Sequence, residues 1–187
     1  MKIIVGITGA SGAIYAYTLI SALQKLPVQI EVVASEMGWK VLEYECGITK
    51  ADIASLETVT VHDNRNLFAS IASGSYRCNC MVVVPCSMNT LGAMAHGMGD
   101  SLLLRAASVM LKERRPLLVV PRETPLNLIQ IENMAALVRA GATIMPAAPG
   151  FYSKPTEISQ LVGGMVGRML DNLGLDNDVA SRWEGRA

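Results

Sequence analysis

Leu111–Leu126 reads LKERRPLLVVPRETPL, a stretch that delivers charge to the end of an apolar strand. Pro116-Leu117-Leu118-Val119-Val120 is a short continuous hydrophobic run, the pattern of a strand buried on both faces. Proline bounds it at 116 and 121, and Arg122-Glu123-Thr124-Pro125 follows at once. Ligands of open α/β sheets bind outside the carboxyl ends of the strands. An Arg and a Glu at that place therefore point to a bound anion and an acid–base step. The plain alternative is a surface ion pair that closes a strand.

Working outward, short apolar runs alternate with amphipathic stretches. Ile3–Ile7, Ile30–Ala34, Met81–Val84, Leu117–Val120 and Thr143–Met145 read as strands. Ala13–Lys25, Met37–Glu45, Thr90–His96, Ser101–Arg114, Asn127–Ala140 and Glu157–Leu170 read as helices. Thr49–Ser75 is the least readable segment, with Val59-Thr60-Val61, a polar patch at 63–66 and a Ser73-Gly74-Ser75 turn. Strands alternating with helices imply βαβ units and a mostly parallel sheet covered on both faces. The expected fold is a single-domain α/β structure with a mostly parallel sheet over residues 1–187. Its tail, from about residue 171, is expected to pack on or cross to a neighbouring subunit.

Composition sets the class. The 187 residues suffice for one domain with a real core. Charged residues make up 17%, below the usual ~25%, and mean hydropathy is +0.34, which suggests surface hidden in subunit contacts. A formal net charge of zero argues against a nucleic-acid footprint. No run approaches the ~18 apolar residues of a membrane span. The start, MKIIVGITGASG, is broken too early by glycine to be a signal peptide. Cys46, Cys78, Cys80 and Cys86 lack zinc or redox spacing, and His62 and His96 stand alone, so no metal site is expected. Free thiols of this kind fit a reducing cytoplasm.

Three more segments carry candidate chemistry. Gly6–Ala13 joins a strand to a helix with G-x-x-G-x-x-G spacing, not the G-x-G-x-x-G of dinucleotide sites. The second strand ends in Ala34-Ser35-Glu36, with a hydroxyl where a ribose-binding acid is expected, which favours a mononucleotide. The third ends in Pro85-Cys86-Ser87-Met88-Asn89-Thr90, whose hydroxyls and amide suit a phosphate, a heterocycle edge or a helix cap. Arg105 and Lys112 lie seven apart, hence on one helix face. Arg122 and Arg168 complete a scattered cationic set, and Tyr152 offers a phenol. Glu45 and Glu123 are candidate acid–base groups. Arg114 and Arg115 read as positive charge at a helix C-terminus. No D-D-x-x-D cage for magnesium occurs, so cations and amides must hold any phosphate ester.

Taken together, TGASGA (8–13), SGS (73–75), PCSMNTL (85–91), RAASVMLKERRPLLVVPRETPL (105–126), PAAPGFY (146–152) and RW (182–183) resemble the UbiX-type flavin prenyltransferases. The resemblance implies a Rossmann-like (flavodoxin-type) three-layer fold and a homo-oligomer, usually a dodecamer, that joins the dimethylallyl group of dimethylallyl monophosphate to N5 and C6 of reduced FMN. It implies no metal, and a product used by a separate UbiD-type decarboxylase. It places Gly9, Ala10, Ser11, Ser35, Ser87, Met88, Asn89, Thr90 and Arg122 on FMN. It places Arg105, Lys112, Arg122, Tyr152 and Arg168 on the prenyl phosphate. Ser11, Glu45 and Glu123 take the catalytic roles, Glu123 handling the proton of the departing phosphate. Asn89 departs from the Lys or Gly of many relatives and makes P-x-S-x-N-T, similar to a motif of cysteine-decarboxylating flavoproteins. The alternatives are therefore an FMN-dependent cysteine-type decarboxylase and a non-catalytic FMN carrier. The first lacks its P-x-M-N-x-x-M-W segment here, and the second has no use for a second phosphate pocket.

Overall fold

The computed structural model describes residues 1–179 together with Arg182 and Gly185. Trp183, part of the RW pair, lies outside the described residues. Six strands, β1 (Lys2–Ile7), β2 (Gln29–Ala34), β3 (Val59–His62), β4 (Cys80–Cys86), β5 (Leu117–Pro121) and β6 (Thr143–Ile144), form one sheet. Its order is β3-β2-β1-β4-β5-β6 and every pairing is parallel. This is the doubly wound Rossmann order, whereas a flavodoxin sheet runs 2-1-3-4-5.

The strands explain the continuous apolar runs. Ile3, Val5 and Ile7 of β1 and Leu118 and Val120 of β5 face one core. Ile4, Val83, Leu117 and Val119 face the other. Helices α1 (Ala13–Leu23), α2 (Glu36–Cys46) and α7 (Ile158–Asn172) cover the first face. Helices α4 (Met88–Ala95), α5 (Leu102–Lys112) and α6 (Leu128–Ala140) cover the second. Leu118 is 1% exposed, so truncation to Ala costs about 2–5 kcal/mol.

Residues 49–75 hold a short helix α3 (Lys50–Ala54), β3 and one 3₁₀ turn at Ser70–Ala72. No residue of β3 is buried, because it is an edge strand, and its hydrophobic period is correspondingly faint. The chain leaves β1 toward β2 and β3, and leaves β4 the other way toward β5 and β6. The crevice between the carboxyl ends of β1 and β4 is thus the topological switch point.

Candidate functional site

Gly12 turns the chain into α1 with φ 105°, a left-handed conformation that glycine adopts without a Cβ clash. The start of α1 has no side-chain cap of its own. Glu45 of α2 reaches across instead, its Oε2 accepting from the amides of Gly12 at 2.8 Å and Ala13 at 2.9 Å. A carboxylate at a helix N-terminus is favoured by the unpaired N–H groups and the dipole there. Burial acts to raise the Glu45 pKa. The Ser11 hydroxyl, the two amides and the Arg122 guanidinium outweigh it and hold the carboxyl below its ordinary range. Arg122 Nε also donates to the Ser11 carbonyl at 3.1 Å. Ser11, Glu45 and Arg122 therefore meet at one point, although residue numbers separate them widely.

The end of β4 is fastened to that point through Thr8. Its hydroxyl donates to the Pro85 carbonyl at 2.8 Å and accepts from the Ser87 amide at 2.7 Å. Ser87 caps α4, accepting from the Thr90 amide at 3.3 Å and donating to the Thr90 hydroxyl at 3.1 Å. Ser35 caps α2 by accepting from the Gly38 amide at 2.9 Å. Gly9 lies so close to α2 that a Cβ would stand 2.7 Å from Met37 Cβ. The backbone amide of Arg122 donates to the Cys86 carbonyl at 3.3 Å, setting β5 against β4. Glu123 is exposed, and its Oε1 accepts from the Thr124 amide at 3.1 Å. Gly9, Ala10, Ser11, Ser35, Glu45, Ser87–Thr90, Arg122 and Glu123 thus share the carboxyl edge of the sheet. The N-termini of α1, α2 and α4 point there, and the hydroxyls and guanidinium suit a phosphate monoester with a polar ring.

The remaining predicted residues do not join them within one protomer. Arg105 Nε donates to the Ala72 carbonyl at 3.0 Å, and Lys112 pairs with Glu113 beside Gly74. Lys112 ends α5 just before β5 begins, whereas Arg122 lies just past the end of β5. They stand roughly 17 Å apart along the sheet, the length of a five-residue strand. Within one chain, the direction of α5 thus keeps Lys112 apart from Arg122. Tyr152 and Arg168 form a third group, lining a cavity of about 940 Å³ with Lys154, Asp171, Asn177 and Arg182. Asp171 accepts from Arg182 at 2.8 Å, Asn177 at 3.0 Å and Arg168 at 3.3 Å, tying the tail to α7.

One cluster escaped the sequence reading. Glu31 is 5% exposed within β2, and its carboxylate accepts from the Tyr76 hydroxyl at 2.5 Å and meets His62 Nε2 at 2.7 Å. Lys2 Nζ donates to Tyr76 at 2.9 Å. His62 is thus not alone. The available signal was a charge inside the apolar strand QIEVVA. Burial pushes the Cys78 thiol up to about 11 and Cys80 up to about 12, which makes both poor nucleophiles. Among the described residues no group of three metal-ligating side chains gathers.

Residues 1–170 match the family model described as Flavoprotein. A curated flavin prenyltransferase UbiX of Deinococcus radiodurans is 45% identical over 182 residues, covering 97% of this chain and 93% of that protein. The crystal structure of AnUbiX in complex with FMN and dimethylallyl pyrophosphate superposes with TM-score 0.96 at 42% identity, over 100% of this chain and 98% of the other. A dodecameric FMN-dependent UbiX-like decarboxylase from Escherichia coli O157:H7 gives TM-score 0.95 at 42% identity, over 99% and 100%.

Proposed function

The chain belongs to the flavoprotein family and, within it, to the flavin prenyltransferases, and on that premise we propose that it transfers a dimethylallyl group from dimethylallyl phosphate to reduced FMN. The product, prenylated FMN, serves a UbiD-type decarboxylase. Reduced FMN supplies the electron-rich N5 and C6 that receive the group. The observation that carries this reading is the meeting of Ser11, Glu45 and Arg122 at the switch point.

Gly9, Ala10, Ser11, Ser35, Ser87, Met88, Asn89, Thr90 and Arg122 hold the flavin phosphate and ring edge. Ser35 uses its oxygen as a helix cap and keeps its O–H for a ligand; Thr90 accepts from Ser87 and donates onward. Glu45, held ionised, orients Ser11 at the flavin. As the allylic C–O bond breaks, its electron pair passes to the phosphate oxygen. Arg122 neutralises that charge and Glu123 delivers the proton. No metal is called for, because guanidinium, ammonium and amide groups take the place of a magnesium cage.

Arg105, Lys112, Tyr152 and Arg168 reach the prenyl phosphate when separate copies of the chain meet at one site. Two features support an assembly, a dodecamer like the Escherichia coli relative. First, Lys112 lies a strand length from Arg122 in its own chain. Second, α6 buries only Leu137 while Leu128 and Ile129 are 67% and 69% exposed. The described part of the tail, held to α7 through Asp171, is the part that would pack on or cross to a neighbour in such a contact. A cytoplasmic location agrees with four cysteines outside any disulfide and with the absence, among the described residues, of a helix able to cross a membrane.

The test is anaerobic turnover with reduced FMN and dimethylallyl monophosphate, with the diphosphate and EDTA as parallel arms. A released flavin heavier by one dimethylallyl group supports the reading. Flavin of unchanged mass, with cysteine-peptide decarboxylation, favours the decarboxylase; unchanged flavin alone leaves a carrier.

A further inference from the structure

The buried Glu31 network lies far from the switch point, yet it ends in the loop that walls Lys112. Residues 72–76 are gripped through their carbonyls. Arg105 Nε holds Ala72 at 3.0 Å, and Arg115 holds Gly74 at 2.7 Å and Tyr76 at 2.9 Å. Gly74 packs against the end of α5, where a Cβ would collide with the Glu113 carboxylate and stand 2.8 Å from Lys112 Nζ, so the loop borders the Lys112–Glu113 pair. The same loop presents the Ser73 and Ser75 hydroxyls, 2.8 Å apart.

Ala72 and Tyr76 of this loop pack inward, and of the two Tyr76 carries the polar group. The Tyr76 phenol donates to Glu31 Oε1 at 2.5 Å, accepts from Lys2 Nζ at 2.9 Å and lies with its ring centroid 4.2 Å from that ammonium. Glu31 Oε2 is taken by His62 at 2.7 Å. Lys2, Glu31 and His62 belong to β1, β2 and β3, so the phenol is tied to three strands at once. A buried carboxylate needs such partners, yet apolar residues of equal volume commonly stabilise a core as well.

We infer that Tyr76, seated on buried Glu31, is a positioning residue for prenyl phosphate binding, holding Lys112, Ser73 and Ser75 in the geometry with which they meet a neighbouring copy's site. This rests on the reading that Lys112 serves that phosphate. The Tyr76 phenol is engaged by Glu31 and Lys2, so its effect passes through the loop.

The test compares Tyr76→Phe, Glu31→Gln and Lys112→Ala in the full oligomer, reading KM for dimethylallyl monophosphate, kcat, Kd for FMN and Tm. Tyr76→Phe keeps the ring and removes the anchor. It is expected to raise the prenyl donor KM about tenfold, the worth of one hydrogen bond to a charged group, with FMN Kd unchanged. Glu31→Gln retains an oxygen for the phenol and is expected to fall between Tyr76→Phe and the wild type. A Tyr76→Phe KM equal to wild type, while Lys112→Ala raises it, overturns the inference and leaves the functional reading intact. An unchanged KM in Lys112→Ala removes the premise and the inference with it. Equal weakening of FMN and donor binding by Tyr76→Phe marks general loosening and also overturns it. If Tyr76→Phe does not fold, Glu31→Gln decides, an unchanged KM again counting against the role.

Discussion

The two edges of the sheet both carry arginine, but only one edge suits a bound anion. At the carboxyl edge Arg122 stands where α1, α2 and α4 begin, so cation and helix N–H groups attract the same charge. At the opposite edge Arg114, Arg115 and Arg139 line a cavity of about 670 Å³ where α5, α6 and α7 end. The carbonyl dipoles there present partial negative charge, which those arginines offset. An anion entering that cavity meets helix ends of its own sign. Residue type alone therefore does not mark a ligand site; the polarity of the surrounding helix ends does.

The sharpest way to break this contrast is at the acid. Glu123→Gln is expected to keep FMN and donor binding while slowing bond formation by ~10²–10⁴, the range for loss of a general acid. Single-turnover kinetics with pre-reduced FMN, run beside direct binding of each ligand, reads this out. A wild-type rate would reduce Glu123 to a strand-end group on the Thr124 amide.

The contrast itself is tested by a pair of truncations. Arg122→Ala is expected to weaken donor and FMN binding by about 10–10²-fold, as expected when a charged partner is lost. Arg139→Ala, at the other edge, is expected to change both by less than about twofold. Isothermal titration of the two variants settles the matter. Comparable losses in both would show that helix polarity does not decide where the anion binds.

Much of this contrast was legible in the chain. The runs at Ile3–Ile7 and Leu117–Val120 are buried on both faces, so strand, core and carboxyl-edge position followed from the continuous apolar pattern and what flanks it. Ser87 could be read as a cap because a hydroxyl before an amphipathic stretch has few other local uses, whereas Ser35 was read only as a ligand hydroxyl and its cap on α2 comes from the structure. Three things were not legible. The edge strand β3 buries nothing, so its period is faint. The direction of α5, which carries Lys112 away from Arg122, depends on where the helix hands over to β5. The Glu31–His62 contact joins residues 31 apart through neighbouring parallel strands, and no local pattern encodes it.

A smaller effect probes the faces that one protomer leaves uncovered. Ile129→Lys, at a residue 69% exposed on α6, is expected to raise the subunit dissociation constant about tenfold if α6 packs in the assembly, since a charge placed in an interface core costs more than about 1 kcal/mol. Sedimentation velocity across a dilution series measures it. An unchanged distribution would assign the assembly to other surfaces.

The smallest expected effect concerns acid. Glu45 has its folded pKa lowered from an ordinary value of 4.5, burial opposing and the Ser11 hydroxyl, the Gly12 and Ala13 amides and Arg122 prevailing. A depressed carboxylate contributes stability that is fully present above its unfolded value and is lost as pH falls through its folded one. Melting temperature should thus hold a Glu45 contribution from pH 7 to about 5 and shed it below the ordinary 4.5. Because the carboxylate is largely open to water, which screens it, the loss is expected to stay within about 2–4 °C. Glu45→Gln cannot ionise, so its melting temperature should lie below wild type at pH 7 and approach it in acid. A gap that stays constant from pH 7 to about 3.5 would mean that Glu45 caps α1 by shape alone and that its charge, the feature tying it to Arg122 and Ser11, adds nothing.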